Sequence, residues 1–276
     1  MIDYQKKYSQ YLSKFEDFYA NYFIQLDASA PKTIKDAMIY ATSSGGKRVR
    51  PVLTYATAEM LGVDLNKVNE YALAIECVHS YSLVHDDLPA MDNDDYRRGK
   101  ESTHKKFGQA IGILAGDALL NFAFEICLSK SEFLKNDYKC IKTLADYSGY
   151  NGMIRGQVLD LENEQNNTLS EEVLYDIYTN KTAKLLTVPL LIPSLLADSK
   201  YYNELLCFGE HLGALFQITD DILDSEGTLE SIGKTPHKDG NKLTAIKLFG
   251  LSQAKERAKY HYEKCLEELS KIENSD

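Results

Sequence analysis

Asp86-Asp87-Leu88-Pro89-Ala90-Met91-Asp92 and Asp220-Asp221-Ile222-Leu223-Asp224 are dense carboxylate clusters, each closing an apolar helical pattern and each followed by basic residues. Carboxylates repel one another and are costly to desolvate, so two such clusters beside apolar sequence require a positive partner. Magnesium suits them, because Mg2+ takes one or two protein carboxylates and fills its remaining positions with water and substrate phosphate. The pair reads as a metal-diphosphate clamp. Either cluster alone would be explained equally well by helix caps and solvated carboxylates. A calcium loop over 92–97 is excluded, since Tyr96 and Arg97 stand where oxygen ligands and glycine are needed.

Cations accompany the acids. Gly45-Gly46-Lys47-Arg48-Val49-Arg50-Pro51 places Lys47, Arg48 and Arg50 on a turn leading into a helix N-terminus, where backbone N–H groups and the helix dipole favour an anion. Arg97-Arg98 follow the first cluster, Lys234 and Lys242 follow the second, and Lys181-Thr182 begin a later helical stretch. Arginine forks match phosphate geometry. Two anionic groups would thus be held in different ways, one through metal and one directly by Lys and Arg. A lone helical histidine is usually structural, but His79 sits two turns before Asp86 on the same face, which makes it a candidate ligand as well.

These residues need helices to position them, and helical periodicity fills the chain. Ile75, His79, Ser82 and Asp86 recur at helical intervals, with Leu73, Cys77, Leu83 and Val84 packing around them. Similar patterns cover about 3–26, 32–42, 51–62, 109–130, 137–155, 170–197, 201–224 and 251–272, and no convincing run of strands appears. Breaks fall at Gly45-Gly46 before Pro51, at Pro89, and at Ser170, which precedes Glu171 and Glu172 as an N-cap would. The polar stretches Glu162–Thr168 and Gly227–Lys242 are expected to be loops. The economical architecture is all-α, a single-domain bundle of about ten or more helices spanning the chain.

Composition narrows the class. The 276 residues carry 31 Lys plus Arg against 41 Asp plus Glu, a net charge of −10, which argues against a general nucleic-acid surface. With 44% hydrophobic residues the chain can build a substantial core. No uninterrupted apolar run reaches the ~18 residues of a membrane span, and residues 1–7 lack a secretory apolar core, so a cytoplasmic protein is expected. Cys77, Cys127, Cys140, Cys207 and Cys265 form no C-x-x-C pair and read as small buried hydrophobes.

Taken together, Gly45 to Pro51, Tyr81 to Lys100, Leu114 to Leu119, Gly156-Gln157, Lys181-Thr182 and Gln217 to Asp224 resemble, in order and spacing, the trans-isoprenyl diphosphate synthase family over about residues 40–250. The first aspartate motif, with two extra residues between its acids, is most similar to that of the bacterial farnesyl diphosphate synthases. The resemblance implies an isoprenoid synthase fold around a central apolar cavity, and a homodimer. It implies that Asp86, Asp92 and Asp220, assisted by Asp87, Asp221 and Asp224, hold about three Mg2+ ions against an allylic diphosphate, with phosphate completing the coordination. Arg97, Lys181, Thr182, Gln217, Lys234 and Lys242 would serve that same diphosphate. Lys47, Arg50, His79 and Arg98 would hold isopentenyl diphosphate. The allylic substrates would be dimethylallyl and geranyl diphosphate, and the product farnesyl diphosphate.

Chain length has its own expected determinant. Tyr81 lies five residues before Asp86, about 7.5 Å down the axis at ~1.5 Å per residue. A helical Tyr is more often an ordinary packed aromatic, but the resemblance implies that its ring stops the growing chain at C15, while small Ser82 leaves room for geranyl diphosphate. A C20-forming geranylgeranyl diphosphate synthase is the nearest alternative. An all-α HD-type phosphohydrolase would need histidine metal ligands and leaves the second cluster unexplained, and a non-catalytic regulatory subunit would not need both clusters. Terpene cyclases share the general fold, but the second, symmetric aspartate motif and the Lys47, Arg50 site favour chain elongation. Relative to the family, the chain is expected to lack a last helix and basic tail, carries Ala183 where glycine is frequent, and places Pro189 inside a helical stretch, where a kink is expected.

Overall fold

A computed structural model of the chain describes residues 3–43, 45–130, 133, 135–166, 168–226 and 242–273. The architecture is all-α, as the periodicity predicts. Contacts divide the chain into two compact units, residues 1–59 with 63–133, and residues 60–62 with 134–276.

In the first unit, α1 (Tyr4–Ile24) is capped by Asp3, whose carboxylate accepts from Lys6 N at 3.2 Å, and it buries Tyr11, Phe15, Tyr19 and Phe23 at i, i+4 spacing. After α2 (Lys32–Thr42) comes α3 (Val49–Met60), with Pro51 in its first turn. A short 3-10 turn (Leu65–Val68) leads into α4 (Asn69–Asp86), whose residues from Tyr71 to Val78 are all buried, so it forms the core of this unit. A two-residue antiparallel hairpin follows, β1 (Tyr96–Arg97) with β2 (Lys100–Glu101). It was not expected from the sequence. Its turn residues Arg98 and Gly99 both have positive φ (53° and 75°), the conformation of a two-residue turn matched to strand twist.

Next come α5 (Thr103–Phe107) and α6 (Gln109–Leu128). Helix α6 is long and apolar enough to cross a membrane by length and composition alone. Asp117 and Glu125 interrupt its apolar sequence, and its buried residues, including Ala115, Leu119 and Ala123, belong to a face packed on α4. A Cβ at Gly116 would strike the His85 ring, so glycine sets how closely the two helices approach.

The second unit holds α7 (Asp137–Ser148), α8 (Met153–Asn166), α9 (Glu171–Ile177), a π-helical segment (Tyr178–Ala183), α10 (Lys184–Leu196), α11 (Tyr202–Glu226) and α12 (Ala245–Ser270), the last broken by a non-helical Gly250. Ser170 caps α9 as expected. The single helix expected over 137–155 is instead two, because Gly149 leaves the helical region (ψ −168°) and ends α7. Residues 162–166, expected to be loop, extend α8. Of the stretch 227–242, residues 227–241 lie outside the described residues.

Helix α10 is apolar all round and buried from Leu185 to Ser194, and both Pro189 and Pro193 lie within the helix. Leu174, Tyr178, Ile218, Ile222, Leu243, Ala245 and Ala254 form one core cluster that fastens α12 to α9 and α11. None of the five cysteines is in a disulfide; four are buried as expected, whereas Cys207 on α11 is exposed.

Candidate active site

In the first unit, the chain after α4 folds back tightly on the helix end. Asp92 N donates to the Asp86 carbonyl at 2.8 Å and Asp94 N to that of Asp87 at 3.1 Å, so the backbone brings Asp92 beside Asp86 despite the intervening residues. Asp86 and Asp92 are half-exposed. Asp87 is 2% exposed and is gripped by the Arg97 fork, Nε at 2.8 and 3.0 Å and Nη2 at 2.5 Å. The sequence assigned Asp87 to metal and Arg97 to diphosphate; the structure pairs them with each other, and the charge-assisted fork accounts for the burial of both.

Beside this lies a cavity lined in part by Tyr40, Arg48, His79, Asp87, Arg97 and Arg98. Burial first, and then the charges of Arg50, Arg98, Arg97 and Arg48, hold the His79 imidazole well below its usual range, so it is neutral at pH 7. Arg50 enters in the first turn of α3, and its Nε is buried with no hydrogen-bond partner among the described residues. Burial pushes its guanidinium down to about 10, with Glu76 pulling upward and Arg98 downward, so it stays cationic. Arg98 donates to the Gly45 carbonyl, and a Cβ at Gly46 would meet its guanidinium. Lys47 is exposed, its carbonyl accepting from the Tyr8 hydroxyl. A buried guanidinium Nε without an acceptor, in a crowd of like charge, fits an anion.

Tyr81 is 5% exposed, stands edge-on to His85 at 5.8 Å, and has its hydroxyl pushed up to about 12 by burial and by Asp86. Ser82 Oγ donates to the His79 carbonyl at 2.9 Å.

In the second unit, Asp220, Asp221 and Asp224 all lie on α11, as the i, i+4 spacing predicts. Asp220 is exposed, while Asp221 accepts from the Tyr178 hydroxyl and, at 2.6 Å, from Ala245 N at the start of α12. Burial, with Asp220 and Asp224 adding to it, pushes the Asp221 carboxyl up to about 6 against the pull of those hydrogen bonds. Carboxylates crowded to this degree fit a cation. Among the described residues no three metal-ligating side chains converge into a ready-made cage, but Mg2+ does not need one when phosphate and water supply its other ligands.

The π-helical segment carries Tyr178, Lys181 and Thr182 together. Lys181 Nζ reaches Asp160 at 2.6 Å, and the Thr182 hydroxyl donates to the Gln217 side-chain oxygen. A Cβ at Gly156 would collide with the Lys181 backbone, and one at Gly213 with Ala183, so two glycines allow α8 and α11 to close on the segment. π-helical turns of this kind are frequent at functional sites. Lys242 lies just before α12, where its carbonyl accepts from Lys247 Nζ at 3.3 Å. Lys234 lies outside the described residues.

A profile of the polyprenyl synthetase family matches residues 31–275. The chain belongs to the polyprenyl synthetase family. Among its relatives in this family, a farnesyl diphosphate synthase of Haemophilus influenzae is 46% identical over 246 residues, 86% of this chain and 82% of that one. One of Geobacillus stearothermophilus is 44% identical over 240 residues, 84% and 80% of the respective chains. The solved geranyltransferase of Helicobacter pylori, complexed with magnesium and isoprenyl diphosphate, matches with a TM-score of 0.86 at 34% identity, covering 96% of this chain and 90% of that one. Three residues of this polyprenyl synthetase, Asp160, Tyr178 and Glu76, escaped the sequence reading. Only Asp160 left a trace there, one helical turn after Gly156 and on the same face.

Proposed function

We propose that the chain is a Mg2+-dependent trans-prenyltransferase that condenses isopentenyl diphosphate with dimethylallyl and then geranyl diphosphate to make farnesyl diphosphate. The observation that carries this reading is the cation-lined cavity around neutral His79, with the unpartnered Arg50 Nε beside it, in the same unit as the first aspartate cluster. Its relatives at 44–46% identity are farnesyl diphosphate synthases, which supports the choice of product.

Lys47, Arg50, His79 and Arg98 bind the diphosphate of isopentenyl diphosphate without metal, His79 donating as a neutral imidazole. Asp86, Asp92, Asp220 and Asp224 hold Mg2+ at the allylic diphosphate, with Asp87 and Asp221 supporting them from their hydrogen-bonded positions. About three ions are what the family resemblance implies, each taking one or two protein carboxylates with water and phosphate completing its shell. When bound, Mg2+ neutralises the charge that develops on the leaving diphosphate. Arg97, Lys181, Thr182, Gln217, Lys234 and Lys242 share that task directly.

The allylic C–O bond then breaks with its electron pair leaving on the diphosphate, and the isopentenyl double bond attacks the allylic cation. Loss of a proton to the released diphosphate completes the new trans double bond. The cation has to be kept from water, which calls for an apolar cavity beyond the polar mouth. Tyr81, which is buried, would end the growing chain, and small Ser82 would leave space for geranyl diphosphate. The same reading makes the enzyme a cytoplasmic homodimer; exposed Ile113, Leu114 and Leu128 on α6 are apolar surface that a second copy would cover, and sedimentation equilibrium tests it.

The deciding experiment incubates the protein with Mg2+, labelled isopentenyl diphosphate and either allylic substrate, and measures product length. Mainly C15 product is expected, shifting to longer chains in Tyr81→Ala. No prenyl product at all refutes the activity, and mainly C20 product from the unaltered chain refutes the role of Tyr81.

A further inference from the structure

Arg48 is the cation of the Gly45–Pro51 turn to which the functional reading gives no task, and it is the most elaborately held. Its backbone is left-handed (φ 45°), a conformation that costs energy for a residue with a Cβ and persists only where the surroundings impose it. Its side chain is 4% exposed. Nε donates to Glu16 of α1 at 2.8 Å, Nη1 donates to Glu76 of α4 at 2.8 Å, and the guanidinium lies 5.4 and 5.6 Å from the ring centroids of Phe15 and Tyr19.

Glu76 is the telling partner. Its side chain is 6% exposed, and its charge also acts on Arg50 and Arg98. A buried carboxylate among arginines will pair with one of them, because an uncompensated buried charge is strongly unfavourable. It pairs with Arg48, and the Nε of Arg50 is left without an acceptor. Two further contacts from α1 keep this arrangement in register, Glu16 on Arg48 and the Tyr8 hydroxyl on the Lys47 carbonyl. Helix α1 lies ahead of the residues matched by the family profile.

We propose that Arg48 is a positioning residue that occupies the Glu76 carboxylate and thereby keeps Arg50 available to the homoallylic diphosphate, with α1 holding Arg48 in place. The proposal rests on the reading of Lys47, Arg50, His79 and Arg98 as the metal-free diphosphate site. Removing Arg48 frees Glu76 to pair with Arg50 and quench that site. Removing the Glu76 charge as well releases Arg50 again, although a buried ion pair has been lost.

Calorimetric titration of the full chain with isopentenyl diphosphate in EDTA tests this. Arg48→Met weakens binding by about tenfold or more, the scale of one charge-assisted hydrogen bond, and Arg48→Met/Glu76→Gln restores it to within about threefold of the unaltered protein. Glu76→Gln alone, in which Arg48 keeps Glu16, retains binding. If Arg48→Met does not fold, Arg48→Lys with and without Glu76→Gln carries the same comparison. A double variant as weak as the single one overturns the proposal, as does full binding in the single variant or lost binding in Glu76→Gln at unchanged helicity and melting temperature. An unaltered protein that binds no isopentenyl diphosphate removes the functional reading of the pocket and this inference with it.

Discussion

Asp87 and Asp221 hold the same place in their clusters, second of an adjacent pair, and each is more buried than the aspartate before it. Their surroundings differ in kind. Asp87 is compensated by a full positive charge, the Arg97 fork, and is 2% exposed. Asp221 has neutral donors, the Tyr178 hydroxyl and the Ala245 N–H, and its carboxyl is pushed up to about 6. Hydrogen bonds from neutral groups offset burial less completely than a cation does. In both clusters the inner carboxylate is tied to backbone or arginine, which fixes the geometry of the more exposed one beside it. The first cluster is thus a preset loop, whereas the second is a helix face whose order depends on where α12 begins.

If the outer aspartates carry the metal chemistry and the inner ones the geometry, removing an outer one should have the largest effect. Asp86→Ala and Asp220→Ala are each expected to lower kcat on the order of 10²–10³-fold, the scale of losing one transition-state charge stabiliser, with helical circular dichroism unchanged. Turnover within tenfold of the unaltered enzyme in either variant would break the symmetry between the clusters.

A smaller pair of changes sharpens the difference in compensation. Arg97→Lys keeps the charge but loses the fork, and Tyr178→Phe keeps the ring but loses the donor. Arg97→Lys is expected to lower kcat by about tenfold and to cost stability, because Asp87 stays buried with one contact fewer. Tyr178→Phe is expected to raise the Mg2+ concentration for half-maximal activity by about threefold with little change in isopentenyl diphosphate affinity, the scale of one neutral hydrogen bond. Identical profiles for the two variants would mean that the clusters are supported alike.

Sequence reading located both clusters and the Gly45–Pro51 turn, because dense charge beside apolar periodicity is a local signal. It placed Asp220 and Asp224 on one helix face for the same reason. It did not find the partners that hold them. Glu76 and Glu16 meet Arg48 from 28 and 32 residues away, and Asp160 meets Lys181 from 21, so these pairs exist only once helices have packed. Tyr178 was hidden for another reason: a π-helical turn adds a residue to the repeat, which shifts the face on which Tyr178, Lys181 and Thr182 appear relative to an α-helical count. Gly149, which ends α7, carried no signal in a periodicity that runs on past it.

The smallest expected effect concerns α12, on which the second cluster leans through Ala245. His261 on α12 and His211 on α11 meet Nδ1 to Nδ1 at 3.0 Å, and His261 Nε2 lies 3.3 Å from the Tyr175 hydroxyl, with Arg257 nearby. Burial, then His211 and Arg257, push His261 down to about 4 from an ordinary 6.5, while Glu210 and Glu268 only partly offset the burial that lowers His211. The unfolded chain therefore binds more protons than the folded one between those values. Stability from this pair is fully present above about pH 6.5 and declines as pH falls toward 4. With no tryptophan in the chain, circular dichroism is the convenient probe. The urea midpoint is expected to fall between pH 7 and pH 5, and to fall less in His261→Gln. The Mg2+ requirement of the unaltered enzyme should rise over the same interval more than that of His261→Gln, because α12 then presents Ala245 less firmly to Asp221. A pH response equal in both proteins would show that the second cluster does not depend on the seating of α12, and would remove the contrast with the preset loop of the first.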